Sequence, residues 1–286
     1  MPLLHIILKS TKLISMKKLT ATFCLTIAML FGSAGLSESA DFQKGLTAYV
    51  SGDYATALRE WTPLAEQGNA VAQYNLGAMY ASGQAVAQNY KTAVKWYSLA
   101  AEQGYALAQY NLGLVYENGK VVPQNYKTAV KWYRLAAEQG IAHAQHKMGW
   151  MYDKGQGVPQ SYKTSVKWHR LSAKQGYALA QYNLGQMYRR GQGVPQDYKT
   201  ATKWYRLAAE QGNANAQNNL GVRYAEGTGV VQNNVYAHLW FNIAVQSGNR
   251  GAVINRDIIA KKMTLADIST AQNLALECIR KKYKGC

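Results

Sequence analysis

The sequence predicts an all-α protein built as a solenoid of stacked antiparallel helix pairs, and three observations carry that reading. Shifted by 36 residues, the chain aligns with itself without a gap, placing Trp96, Trp132, Trp168, Trp204 and Trp240 in one column and Gly77, Gly113, Gly149, Gly185 and Gly221 in another. The same step aligns Gly68, Gly104, Gly140, Gly176, Gly212 and Gly248, and also Tyr80, Tyr116, Tyr152, Tyr188 and Tyr224. A period of this length holding two helical segments marks units that bury their apolar faces only by stacking on their neighbours. Second, both ends of the second helix are specified chemically. It starts at a column reading Asn89, Asn125, Ser161, Asp197 and Asn233, whose side-chain oxygens can accept first-turn amides. It stops at the glycine ladder from Gly68 to Gly248, where the left-handed conformation is open. Third, 48% of the 286 residues are hydrophobic and 16% are charged, so there is ample apolar surface to bury.

In chain order, the first element is a leader. From Met16 the chain reads Met-Lys-Lys, then an uncharged stretch from Leu19 to Phe31, then small residues through Ala40, the three-part pattern of a secretory signal. The uncharged stretch is shorter than the roughly 20 residues of a membrane-spanning helix, so no stable span is expected after processing. Residues 1–39 are read as a signal peptide, with Met16 a second candidate start and cleavage after Ala34 or after Ser39. Cys24 has Phe23 before it rather than a small residue, which argues against a lipid anchor. Export to the periplasm or the exterior would place Cys278 and Cys286 where a disulfide is permitted. Tyr283, Lys284 and Gly285 can break the helix between them, so the two are expected to pair and staple the tail to the last helix.

Residues 40–68, with "GDYATALREWTPLAEQG", are read as a helix pair that opens the stack. Residues 69–248 hold five units; in the second, a first helix covers Ala106 to Tyr116, a loop Gly119 to Gln124, and a second helix Asn125 to Gln139. After Gly248 the period fails. Residues 249–286 are read as a cap of two helices, Gly251 to Lys262 and Leu265 to Tyr283, with polar outer positions.

The stretch "AQYNLGLVYENGKVVPQNYKTAVKWYRLAAEQG" from Ala108 to Gly140 resembles the Sel1-like repeat, a longer relative of the tetratricopeptide repeat, whose plainer helix pair residues 40–68 resemble. The resemblance implies a right-handed superhelix that serves as a protein-interaction scaffold, often in bacterial envelope or host-contact processes, and it implies no particular ligand. Some cysteine-rich members have been labelled β-lactamases. After residue 39 this chain has no Ser-x-x-Lys, Ser-Asp-Asn or Lys-Thr-Gly, and it lacks the regular helix-pair cysteines of those members.

On a helical projection of the second unit, Ala108, Gln109, Leu112, Gly113, Val115 and Tyr116 share one side and barely change between units. Leu107, Tyr110, Asn111, Leu114, Glu117 and Asn118 share the other side and change freely. Side chains that must fit a stack repeat, whereas side chains that face a partner need not. In tetratricopeptide-like stacks the first helices line the concave groove, so by fold analogy the variable columns are the candidate binding surface. One column reads Tyr74, Tyr110, His146, Tyr182 and Asn218; a second reads Ala78, Leu114, Trp150, Gln186 and Val222; a third reads Asn75, Asn111, Lys147, Asn183 and Asn219. Trp150 is expected to stand exposed as an anchor, and the asparagines to grip an extended backbone. The tryptophan ladder, Trp132 included, is expected to be buried between helices. The second helices carry Lys127, Lys131 and Arg134, repeated as Lys163, Lys167 and Arg170 and as Lys199, Lys203 and Arg206, which stacking turns into a basic outer band.

With 32 basic against 15 acidic residues the net charge is +17, which excludes an acidic calcium binder and favours anionic surfaces as partners. Nucleic acid is not expected of an exported chain. His143 and His146 stand three residues apart without a third ligand at helical spacing, so no metal is expected, and His169 is read as filling the slot of Tyr133 and Tyr205. No nucleophile comes with a base and an orienting acid, so no catalytic residue or cofactor is expected. The expected function is an exported, non-enzymatic scaffold that binds a protein or peptide through its groove. The alternatives are a binder of envelope polymers or anionic surfaces through the basic band, and, with least support, a cell-wall or β-lactam hydrolase.

Overall fold

The computed structural model describes residues 36–286, with side chains from Phe42 onward, and the leader reading of residues 1–39 lies outside the side chains described. All regular structure among the described residues is helical. The helices are α1 (Leu36–Ser51), α2 (Tyr54–Glu66), α3 (Ala70–Ser82), α4 (Tyr90–Glu102), α5 (Ala106–Asn118), α6 (Tyr126–Glu138) and α7 (Ala142–Lys154). They continue as α8 (Tyr162–Lys174), α9 (Ala178–Arg190), α10 (Tyr198–Ala209), α11 (Ala214–Glu226), α12 (Asn234–Gln246), α13 (Gly251–Ala260) and α14 (Leu265–Arg280). The chain divides after Asn125 into a unit holding α1–α5 and a unit holding α6–α14. Within each, helices pack chiefly on their neighbours in sequence, and at the C-terminal end α12 takes both α13 and α14. That is the contact pattern of a solenoid.

The caps form as the sequence implies. Asn89, Ser161, Asp197 and Asn233 accept hydrogen bonds from the amides of Thr92, Thr164, Thr200 and Tyr236. The glycines after the second helices, Gly104, Gly140 and Gly176 among them, have φ of 89°, 92° and 87°, which side-chain-bearing residues rarely adopt. The first helices also end at left-handed glycines, such as Gly155 and Gly191.

Inside each pair, a glycine of the first helix lies directly under a ring of the second. A Cβ added at Gly77 would stand 2.6 Å from the Tyr97 ring, at Gly149 2.7 Å from His169, at Gly185 2.7 Å from Tyr205 and at Gly221 2.6 Å from Phe241. The opening pair repeats this with Gly45 under Trp61. These rings, not the tryptophans, are the enclosed aromatics. Trp96, Trp132, Trp168 and Trp204 are half-buried, and Trp240 alone of that column is fully enclosed. The burial expected of Trp132 therefore belongs to its neighbour Tyr133, which is 0% exposed. The physical reason is rotation: one residue further along the helix turns the side chain by about 100°, away from the rim and onto the partner's glycine. His169 fills the ring slot, as the repeat column implied.

Two polar ladders join successive pairs. Buried Gln73, Gln145, Gln181 and Gln217 each donate from Nε2 to the last-turn carbonyls of the preceding second helix, Ala65, Ala137, Ala173 and Ala209, at 3.0–3.2 Å. Their own oxygens accept from Gln103, Gln175 and Gln211 in the first three cases, at 2.7–2.8 Å. The second ladder is arginine to tyrosine: Arg134 donates to the Tyr152 hydroxyl and Arg170 to that of Tyr188, both at 2.9 Å, and Arg206 does the same to Tyr224. The arginines of the supposed outer band are thus clips between pairs, and the exposed charge of that band comes from its lysines. At the C-terminus, Lys282 and Tyr283 turn through the left-handed region and bring Cys286 back to Cys278, with Cα atoms 5.7 Å apart as in a disulfide.

Two stability changes follow. Gly185→Ala should gain about 1 kcal/mol of helix propensity yet lose more by overpacking against Tyr205, for a net loss of ~1–2 kcal/mol in urea unfolding; an unchanged or raised midpoint would show that the ring can move aside. In the last repeat Ser247 replaces the donating glutamine, and the side-chain oxygens of Gln217 and Ser247 are left without partners. Ser247→Gln should complete the ladder and stabilise by about 1 kcal/mol, read as a higher melting temperature.

Candidate functional site

Consecutive first helices α7 and α9 carry the same columns one repeat apart, so Lys147 corresponds to Asn183, Trp150 to Gln186 and Lys154 to Arg190. On each helix these positions, three and four residues apart, share a face. A cleft of about 190 Å³ lies there, walled by Trp150 and Asp153 of α7 and by Tyr182, Asn183 and Gln186 of α9. His169 of α8 forms part of its lining, and Lys154, Met187, Arg190 and Gln192 complete it.

Gln186 organises one wall. Its Nε2 donates to the Tyr182 hydroxyl at 2.8 Å, while its Oε1 accepts from Arg189 Nε at 2.9 Å and from the Tyr205 hydroxyl at 3.0 Å. Burial pushes the Tyr205 phenol up to about 12, although Arg189 pulls the other way. On the opposite wall Trp150 is half-buried rather than exposed, because Lys147 lies over its ring, 5.8 Å from the centroid. Lys154 pairs with Asp153 at 2.8 Å. The cleft therefore presents an indole and a phenol, amide groups and a basic rim with one carboxylate.

Beneath it, His146 and His169 face each other with Nδ1 atoms 3.4 Å apart. Burial depresses the His169 imidazole to about 4, with Asp153 opposing the shift. His146 is held well below its ordinary value by burial first, then by His169, Lys147 and His143. His143 stacks on Tyr177 at 4.4 Å between centroids. His146, a candidate for the binding surface, is instead packed against His169, because its column faces the ring slot of the second helix.

The remaining candidates, Tyr74, Asn75, Tyr110, Asn111 and Leu114, belong to the first unit. Tyr74 packs on Tyr97 and Tyr105 at 5.8 and 5.1 Å between centroids, and burial raises its phenol to about 12 while a hydrogen bond from Asn111 opposes. Tyr74 and Asn111 are therefore engaged in packing. Asn75, Tyr110 and Leu114 are half-buried. The sequence reading missed Asp153, His169 and Arg190 as cleft residues, while Gln186 stood in one of its variable columns. Arg190 sits one turn beyond that column, so the signal was present, whereas His169 comes from the other helix of the pair.

Helix pairs whose core forms between neighbours, with variable side chains gathered on one helix of each pair, define a helical-repeat scaffold, a class generally used for protein–protein contact. The Sel1 repeat family model matches residues 70–105, 106–141, 142–177, 178–213 and 214–249, and the chain belongs to that family. A protective antigen present in uropathogenic Escherichia coli strains, displaying an SLR fold, is similar with a TM-score of 0.79 and 34% identity over 86% of this chain. The match covers 55% of the length of that antigen. A Sel1 repeat protein from Oxalobacter formigenes is similar with a TM-score of 0.68 and 38% identity, covering 73% of this chain and 86% of its own. Curated proteins yield no match. Among the described residues no helix is long and apolar enough to cross a membrane.

Proposed function

We propose that this Sel1 repeat chain is a non-enzymatic, exported scaffold, periplasmic or secreted, that binds an extended protein or peptide segment along its first-helix face. The observation that supports this reading most is the cleft at Trp150, Tyr182 and Asn183: a variable column places its one tryptophan beside a tyrosine fixed by Gln186. Rigid aromatic side chains concentrate binding energy because little freedom is lost when they are covered. Residues 1–39 act as the export signal, 40–68 open the stack, and 249–286 close it. One similar protein is described as a protective antigen, which supports the exported reading.

A second reading has its own observation. Lys127 and Lys131, Lys163 and Lys167, and Lys199 and Lys203 are all exposed and repeat at the same step, which suits an anionic envelope polymer or lipid surface. The two readings separate by experiment. Trp150→Ala should lower recovery of a crosslinked partner from envelope extract about 30-fold, equivalent to ~2 kcal/mol, with a small change in melting temperature because the indole is only half-buried. Lys163→Glu with Lys167→Glu should leave that recovery nearly intact at physiological salt. The opposite pattern, with binding lost in the lysine variant, steep in ionic strength and indifferent to Trp150, would replace the cleft by the basic band.

A further inference from the structure

In the first and fourth repeats the ring slot of the second helix touches a tyrosine of the first: Tyr74 meets Tyr97 at 5.8 Å between centroids, and Tyr182 meets Tyr205 at 6.1 Å. In the third repeat both members of that contacting pair are histidine, 5.2 Å apart. A single exchange would be ordinary drift in a repeat column. The paired exchange turns an aromatic contact into two imidazole nitrogens that face one another.

We infer that His146 and His169 form a binding site for one divalent transition-metal ion of the zinc class, with its remaining coordination positions left to water or to a ligand entering the cleft. The Nδ1 to Nδ1 separation is 3.4 Å, longer than the usual 2.7–3.2 Å of an N–H donor to its acceptor. It equals the edge of a tetrahedron around an ion with zinc–imidazole bonds of about 2.0–2.1 Å, which is roughly 3.3–3.4 Å. The Asp153 carboxylate lines the same cleft as His169. His169 borders the cleft, so the pair lies at the cleft's edge. In this proposal the protein supplies two ligands, which makes the site open rather than structural. The inference rests on the histidine pair and stands whether or not the cleft above it takes a peptide.

The test is calorimetric titration of the untagged full chain with zinc chloride, together with the visible absorption of the cobalt(II) form. One ion per chain and a rise in melting temperature on zinc addition are expected. His146→Tyr with His169→Tyr rebuilds the tyrosine pair of the adjacent repeats and should lower zinc affinity at least tenfold, with no thermal response left. Trp150 stands one turn beyond residue 146, so a larger ring there adds bulk; His146→Asn, which installs the residue that the fifth repeat carries as Asn218, should give the same loss without it. His143→Leu, which installs the residue found at Leu107 and Leu179, should leave binding intact. Unsaturable uptake by the native chain, undiminished uptake in either His146 variant, or loss in His143→Leu alone would overturn the site.

Discussion

The contact between a glycine on one helix and a ring on the next sets the geometry on which everything else depends. Without a Cβ at Gly77, Gly149, Gly185 or Gly221, the second helix can seat Tyr97, His169, Tyr205 or Phe241 directly on backbone. The distance within each pair is then fixed by ring thickness rather than by two interdigitating side chains. Packing at this density leaves no slack, because a gap of even half an ångström forfeits a good part of the dispersion energy. Once the pair is rigid, its neighbours can be joined by hydrogen bonds that need tight registration. The glutamine ladder and the arginine–tyrosine clips are such bonds, and they recur at nearly constant lengths.

This division of labour explains where the chain can vary. The columns that make the pair and the columns that join pairs are constrained by atoms on both sides, whereas the variable columns of the first helices meet the second helix through rings that can be exchanged, as Tyr74, Tyr182 and His146 show. The third repeat uses that freedom most. It carries Trp150 outward, and inward it exchanges the ring tyrosine and two alanines for His169, Ser165 and Ser172. Such polar groups would cost ~1–3 kcal/mol each if buried without partners. Ser172 donates to the Ala142 carbonyl at 2.7 Å and Ser165 contacts the Met187 sulfur at 3.6 Å. A repeat whose buried serines keep partners can differ chemically from its neighbours without losing the stack.

Much of this was legible in the sequence, because a gapless period constrains every unit at once. The helix pairs, the caps at Asn89, Ser161, Asp197 and Asn233, and the closing helices fall within a few residues of where the repeat places them. The choice between adjacent aromatics was not legible. Trp132 and Tyr133 are both large and both repeat, and only the glycine beneath the second reveals which one is enclosed. The glutamines escaped notice for a different reason: a glutamine at a helix face reads as surface unless the carbonyl it serves, eight residues earlier in the chain, is already in place. The cleft was half visible. Trp150, Tyr182 and Asn183 could be read from one column pattern, but His169 required knowing which ring of one helix meets which face of another.

The end of the array shows what a repeat contact is worth by its absence. In the last repeat Ser247 stands where Gln211 stands one unit earlier, so Gln217 keeps its bond to the Ala209 carbonyl but has no donor for its own oxygen. The chain offsets this with apolar cover instead of hydrogen bonds. Phe241 packs with Ala252 and Ile259 of α13, and Leu239, Trp240 and Ile243 with Ala275 and Cys278 of α14. That second cover is what encloses Trp240, although its counterparts in earlier repeats are half-open. The tail adds to the same cluster, since Tyr283 and Cys286 pack against it and the Cys278–Cys286 bridge holds the turn in position. In a stack whose stability is a sum of nearest-neighbour terms, the terminal unit has one neighbour missing and is the first to open. Replacing a directional ladder by a broad apolar contact suits that position, because the cap needs to cover a face and need not pass the register on to another repeat.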